Sequence, residues 1–253
     1  MPEGYDNQSM PKRLLTGSLL TILLMGCLQL SPSATPPKTS TPPVSSVTHT
    51  DTPIPPTSTL TPSATAAPSQ TSTPERAGCL QPPDDYTRLE VNGWTVNART
   101  LAMLAHAQEL YGGEIELTGH AITQGSYHDN GAASFGTHLG GGAVDLSVLR
   151  RGTYTVLWDD VEPLLYALRV AGFSAWLREY GEVYPDSPIH IHAIAIGDRE
   201  LSSAAEEQLT GEAGYFRGFS GLPIIDGNSP TPDRYGGPIL CQWMLDLGYK
   251  DLR

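Results

Sequence analysis

Residues 31–75 exclude themselves from any packed core, and this constrains the fold more than any other feature of the chain. The segment is Thr, Ser and Pro with almost no large apolar residue, and it holds half of the chain's 22 prolines. Such a stretch cannot bury enough surface to offset the entropy of ordering it, so residues 28–76 are expected to form an extended, disordered tether rich in polyproline II. Residues 77–253 are left as one domain, long enough for a single core. Before Ala77 the acidic Glu3, Asp6, Asp51 and Glu75 are matched by Lys12, Arg13, Lys38 and Arg76, so the formal net charge of -12 belongs to the domain. That excess argues against nucleic acid or anionic lipid as the domain's partner.

Ahead of the tether, Lys12-Arg13 precede an apolar run over residues 14–25 that ends in Gly26-Cys27. A basic flank and a short apolar run make a secretory signal over residues 1–27, too short for a stable membrane span. The Gly-Cys ending resembles a bacterial lipobox, which implies acylation of Cys27 and an extracytoplasmic, membrane-anchored lipoprotein; plain cleavage and secretion is the alternative. Cys79 and Cys241 are then the remaining cysteines and bracket the domain. In an oxidising compartment they are expected to pair.

The domain reads as alternating helical and extended segments. Residues 98–110 carry Leu, Ala and Met at helical spacing and stop at Gly112-Gly113. Residues 114–122 alternate as a strand would, with Ile115 and Leu117 inward and His120 on the other side. A Gly-, Ser- and Ala-rich loop over 123–142 leads into a strand over 143–148, and residues 159–171 form a helix capped by Asp159 or Asp160 and ended by Gly172. Residues 173–180 and 189–196 look like paired strands, and 200–208 like a short helix. The order predicts an α+β domain: an antiparallel sheet with helices packed on one side. Gly140-Gly141-Gly142 lacks the Gly-Lys-Ser/Thr ending of a phosphate loop, which excludes nucleotide binding of that kind.

The chemistry concentrates in two places, His138-Leu-Gly-Gly-Gly-Ala-Val-Asp145 and Asp186-Ser-Pro-Ile-His190-Ile-His192. Two residues apart on a strand, His190 and His192 share a face. Taken alone they read as a hydrogen-bonded pair, and His138 with Asp145 as a loop histidine and a turn-ordering carboxylate. Taken together they supply an open metal site of two imidazoles and one carboxylate. Zn²⁺ accepts such ligands in a tetrahedral shell, and a fourth, open position is where water is activated. The composite therefore points to a hydrolase. Tyr154, Trp158 and Trp176 are candidates for a substrate wall or for core packing.

The motif His-x-x-Gly-x-Ala-x-Asp, here His138, Gly141, Ala143 and Asp145, followed by His190-x-His192, resembles the fold family shared by D-Ala-D-Ala metallopeptidases, murein endopeptidases and the hedgehog signalling domain. The resemblance covers about residues 115–197. It implies that His138, Asp145 and His192 bind zinc, that Asp186 is the general base, and that His190 orients groups or stabilises the transition state. Family members usually carry Glu where this chain has Asp186, and Glu179 and Glu182 are the rival bases. The arginine of the preceding family segment is absent. The stretch here reads Thr123-Gln124-Gly125-Ser126-Tyr127-His128, in which Gln124 or His128 could donate to an oxyanion. For a tethered, extracytoplasmic enzyme the accessible amide polymer is the peptide stem of peptidoglycan, and the resemblance implies that it is cut by a D,D- or L,D-carboxypeptidase or endopeptidase. A non-catalytic zinc-containing binding module is the alternative. A cupin-like iron oxygenase would need a glutamate soon after His192, where Ala193-Ile194-Ala195-Ile196-Gly197-Asp198 stands.

Overall fold

Helix α1, Ala98–Tyr111, begins where the Asn97 side chain accepts a hydrogen bond from Thr100 N. It ends at Gly112, whose left-handed φ of 64° lets its N–H return to Gln108 O. Thr100, Met103, Leu104 and Ala107 fall at helical spacing and are buried, which makes one stripe of the helix a core face. A short antiparallel ribbon, β1 (Arg88–Val91) with β2 (Trp94–Asn97), runs directly into it. The computed structural model describes residues 76–129, 131–225 and 227–253, all within the compact unit Ala66–Arg253. The signal segment, Cys27 and the tether up to residue 75 lie outside the described residues.

The central sheet has four antiparallel strands in the order β3-β4-β6-β5: β3 Ile122–Gln124, β4 Ala143–Ser147, β5 Phe173–Arg178 and β6 His190–Ala195. Helix α2, Trp158–Val170, connects β4 to β5. Because strand side chains alternate, the sheet has two unlike faces. Val144, Leu146, Phe173, Ala175, Leu177, Ile191, Ala193 and Ala195 face a core that α1 and α2 complete with Met103, Leu104, Leu164, Leu165 and Leu168. The opposite face carries Asp145, His190, His192, Trp176 and Arg178, in register across the strands: Asp145 opposite His192 opposite Trp176, and Ser147 opposite His190 opposite Arg178.

The domain is α+β, as its sequence predicts, but its helices are not confined to one side. Helix α3, Ser203–Thr210, packs Ala205 and Leu209 with Trp176, Ile194, Tyr215 and Phe216 in a second cluster on the polar face. A sheet face bearing charged groups at one end still has apolar residues at the other, and these need a cover. Two further expectations change. The strand over 114–122 contracts to Ile122–Gln124, because the chain turns at Thr118-Gly119, with Ala121 N bonded to Glu116 O and Ile122 N to Gly119 O. Ile115 and Leu117 are buried all the same, so alternation reported burial without reporting backbone. Helix α2 has Leu157 at its N-cap without a side-chain cap; Asp159 and Asp160 sit instead in its first turn, where acidic groups favour the helix dipole, and Asp160 accepts from Tyr111 Oη.

Cys79 and Cys241 form a disulfide that closes a separation of 162 residues. It ties the start of the domain to the N-cap of α4, Gln242–Asp246. Among the described residues no helix is long and apolar enough to cross a membrane.

Candidate metal centre

Asp145 lies at the middle of β4 with its side chain 14% exposed, surrounded by three imidazoles. His192 Nδ1 is 2.7 Å and His138 Nε2 3.4 Å from Asp145 Oδ1, and His190 Nε2 is 3.8 Å from Oδ2. Register explains two of these contacts, since Asp145 and His192 are direct cross-strand partners and His190 is one pleat along the same face. His138 arrives from the loop before β4, on a short 3-10 turn, Thr137–Leu139. The glycines that follow are required by packing. A Cβ on Gly140 would come within 2.3 Å of Glu200 O and 2.4 Å of Ser202 N, so only glycine lets the loop pass under the 200–202 segment into β4.

The partners of the ring nitrogens determine what the centre can hold. His138 Nδ1–H donates to Gly125 O at 2.8 Å and His190 Nδ1–H to Pro188 O at 2.7 Å, because a carbonyl oxygen can only accept. Both rings therefore turn Nε2 toward Asp145, a lone pair when the ring is neutral and an N–H when it is charged. His192 places Nδ1 2.7 Å from Asp145 Oδ1 and Nε2 3.0 Å from Gln208 Oε1; with the proton on Nε2 it donates to Gln208 and turns the Nδ1 lone pair toward Asp145. With those tautomers the side chains of His138, His192 and Asp145 present acceptors to one another, an arrangement that either a shared proton or a bound metal cation satisfies. One ligand atom from each of His138, Asp145 and His192 can be chosen so that all lie within 4.8 Å of one another, which fits a single metal ion. The Gly125 and Gln208 contacts supply the orienting hydrogen bonds that metal-binding imidazoles need.

The electrostatics agree. Burial disfavours the charged form of Asp145, yet His138 and His192, through charge and hydrogen bonding, hold its pKa well below the ordinary carboxylate value. Burial likewise opposes a charged His138, but Asp145 outweighs it and raises the pKa. For His192 burial dominates and depresses the pKa to about 4 against the pull of Asp145. The two histidines diverge because one proton shared with Asp145 suffices: His138 takes it, and His192, opposed also by the charges of His138 and Arg178, stays neutral and available as a ligand.

A cavity of about 370 Å³ opens beside this cluster, lined among others by Gln124, Thr137, Arg178, Tyr184, His190 and Gln208. His138, Asp145, His190 and His192 all line it. Asp186 does not. It is exposed, has a left-handed φ of 66°, and accepts a hydrogen bond from Tyr180 Oη at 2.9 Å. Glu179 and Glu182 are also outside the lining; the first pairs with Arg234 and the second accepts from Glu179 N. Gln124 does reach the cavity and its Nε2 is buried without a partner, whereas His128 packs edge-on against Trp94. Trp176 is core, stacked on His192 at 6.1 Å between ring centres and donating to Phe219 O, while Tyr154 and Trp158 are exposed away from the cavity.

Two residues at the site went unanticipated. Arg178 ends an apolar strand, and the same alternation that places His190 and His192 would have placed it beside them. Gln208 comes from α3, and nothing in its spacing signals the contact with His192.

No family model, curated protein or solved structure matches this chain.

Proposed function

We propose that the domain is an extracytoplasmic zinc-dependent peptidase with a hedgehog/DD-peptidase-like fold, hydrolysing stem-peptide bonds of peptidoglycan as a D,D- or L,D-carboxypeptidase or endopeptidase and held to the membrane by a lipid at Cys27. The observation that carries this reading is the convergence of two imidazole nitrogens and a carboxylate oxygen at the wall of an open cavity. Zinc bound by His138, Asp145 and His192 would supply an activated water at neutral pH and polarise a carbonyl.

The protein's own residues divide the remaining work. His190 is fixed by Pro188 O with Nε2 toward the cavity, so it can take up and return a proton at that atom. With Asp186 engaged by Tyr180, His190 is better situated for this than the carboxylate, and Asp186 would have to leave its hydrogen bond to serve as base. Gln124 Nε2 is a free donor for a developing oxyanion.

A second reading, a zinc-containing binding module without turnover, is favoured by one fact: among the described residues no carboxylate besides Asp145 lines the cavity. Metal analysis of the purified protein together with mass spectrometry of a muropeptide digest decides between them. Zinc at one per chain with new muropeptide ends is expected. Zinc without cleavage would leave the binding module, and a chain that takes up no divalent metal would remove both.

A further inference from the structure

The strand Phe173–Arg178 is apolar on the core face and ends on the opposite face in Arg178, directly across from His190. Arg178 is 2% exposed, and both of its terminal nitrogens, Nη1 and Nη2, are buried without a hydrogen-bond partner. The domain's other buried arginines are treated differently. Arg169 donates to Ala175 O, Tyr235 O and Asp233 Oδ2, and Arg99 places its terminal nitrogens on Pro82 O, Pro83 O and Ile196 O. A buried guanidinium without partners costs several kcal/mol in general, so one free fork among three calls for a partner supplied from outside.

The surroundings hold that fork in place. Arg178 lies over the Trp176 ring at 5.2 Å, and Trp176 stacks in turn on His192. Burial depresses its pKa to about 10 against the pull of Glu182, Asp145 and Asp233, so it stays cationic near neutrality. Among the described residues it forms no ion pair. It lines the same cavity as the metal cluster, on the side of His190.

We infer that Arg178 is the seat for a carboxylate of the ligand that enters this cavity, gripping both oxygens with Nη1 and Nη2. A planar fork with two free N–H donors matches a two-oxygen anion in bidentate fashion. A carboxylate there would bring the adjoining amide into the cavity that the metal cluster also lines, which deepens the peptidase reading by making removal of a C-terminal residue the favoured reaction. The inference rests on that reading for the word peptide, but not for the anion seat itself.

The test is calorimetric binding to the zinc-loaded full chain of three probes: N-acetyl-D-alanine, with a terminal carboxylate; N-acetyl-D-alaninamide, with none; and N-acetyl-D-isoglutamine, with a side-chain carboxylate only. The expected result is that N-acetyl-D-alanine binds about tenfold or more tighter than its amide, that Arg178→Gln erases the difference, and that Arg178→Lys keeps part of it. Tighter binding of N-acetyl-D-isoglutamine would overturn the terminal position. An undiminished preference in Arg178→Gln would mean that the metal takes the carboxylate, and an unfolded Arg178→Gln protein would mean that the residue is structural; either result, or no preference in the native chain, overturns the inference. Because the readout is binding, a lost preference without stem-peptide hydrolysis would sink the peptidase reading and leave the seat, and hydrolysis with an unchanged preference would do the reverse.

Discussion

The two faces of the central sheet are built from the same strands and differ by one residue in register. On one, Val144, Leu146, Ile191 and Leu177 are fully or nearly fully buried against α1 and α2. On the other, their immediate neighbours Asp145, His190, His192 and Arg178, joined by His138 from the loop before β4, crowd three imidazoles, a carboxylate and a guanidinium around a cavity. The contrast shows how a small domain keeps stability and chemistry apart. The apolar face gains free energy from burial, and its rigidity holds in place polar groups that a proton or a metal cation can join. Changes to one face should therefore alter stability with little effect on metal, and changes to the other should do the opposite.

The strongest way to break this contrast is His192→Ala. It removes one atom of the proposed ligand set and should abolish the proposed stoichiometric zinc binding in elemental analysis, while the far-ultraviolet circular dichroism of the protein stays that of the native chain. Retained zinc at one per chain would put the centre elsewhere. On scaffold stability the largest effect is expected from the disulfide. Cys79→Ser with Cys241→Ser should lower unfolding free energy by up to about 5 kcal/mol, since a very long loop is opened, with metal stoichiometry unchanged in the folded fraction. Leu146→Ala, on the apolar face between Asp145 and Ser147, should cost about 2–5 kcal/mol in urea unfolding and leave zinc affinity near the native value. A large loss of affinity there would show that the two faces are coupled. The smallest effect belongs to Gln208→Leu, which strands the Nε2–H of His192 but removes no ligand. Competition with a chromophoric chelator should report zinc affinity weakened by about 10- to 100-fold, and an unchanged affinity would show that the orienting bond is dispensable.

Much of this was legible because strand alternation is a local rule. The pairing of β5 with β6, the delivery of His138 by a glycine-rich loop, and the helix ending at Gly112 each follow from residues near one another in the chain. The reading was incomplete where partners are remote. Alternation over residues 114–122 identified Ile115 and Leu117 as buried but could not reveal the turn that takes them inward, because a buried turn and a half-buried strand leave the same apolar trace. Asp186 lay six positions before His192, a spacing that suited a base, yet Tyr180 holds its carboxylate outside the cavity lining.

By itself, the sequence determined the α+β class of the domain, the pairing of Cys79 with Cys241 and the ligand types gathered at His138, Asp145 and His192. These depend on composition, on period-two alternation and on the small number of cysteines available. Only the tertiary structure decided the direction of each imidazole, through the acceptors Gly125 O, Pro188 O and Gln208 Oε1, and the presence of Arg178 without a partner beside them. Hydrogen-bond satisfaction is a property of the three-dimensional neighbourhood. Whether a buried donor is paired depends on residues far away in the chain, and no local pattern records it.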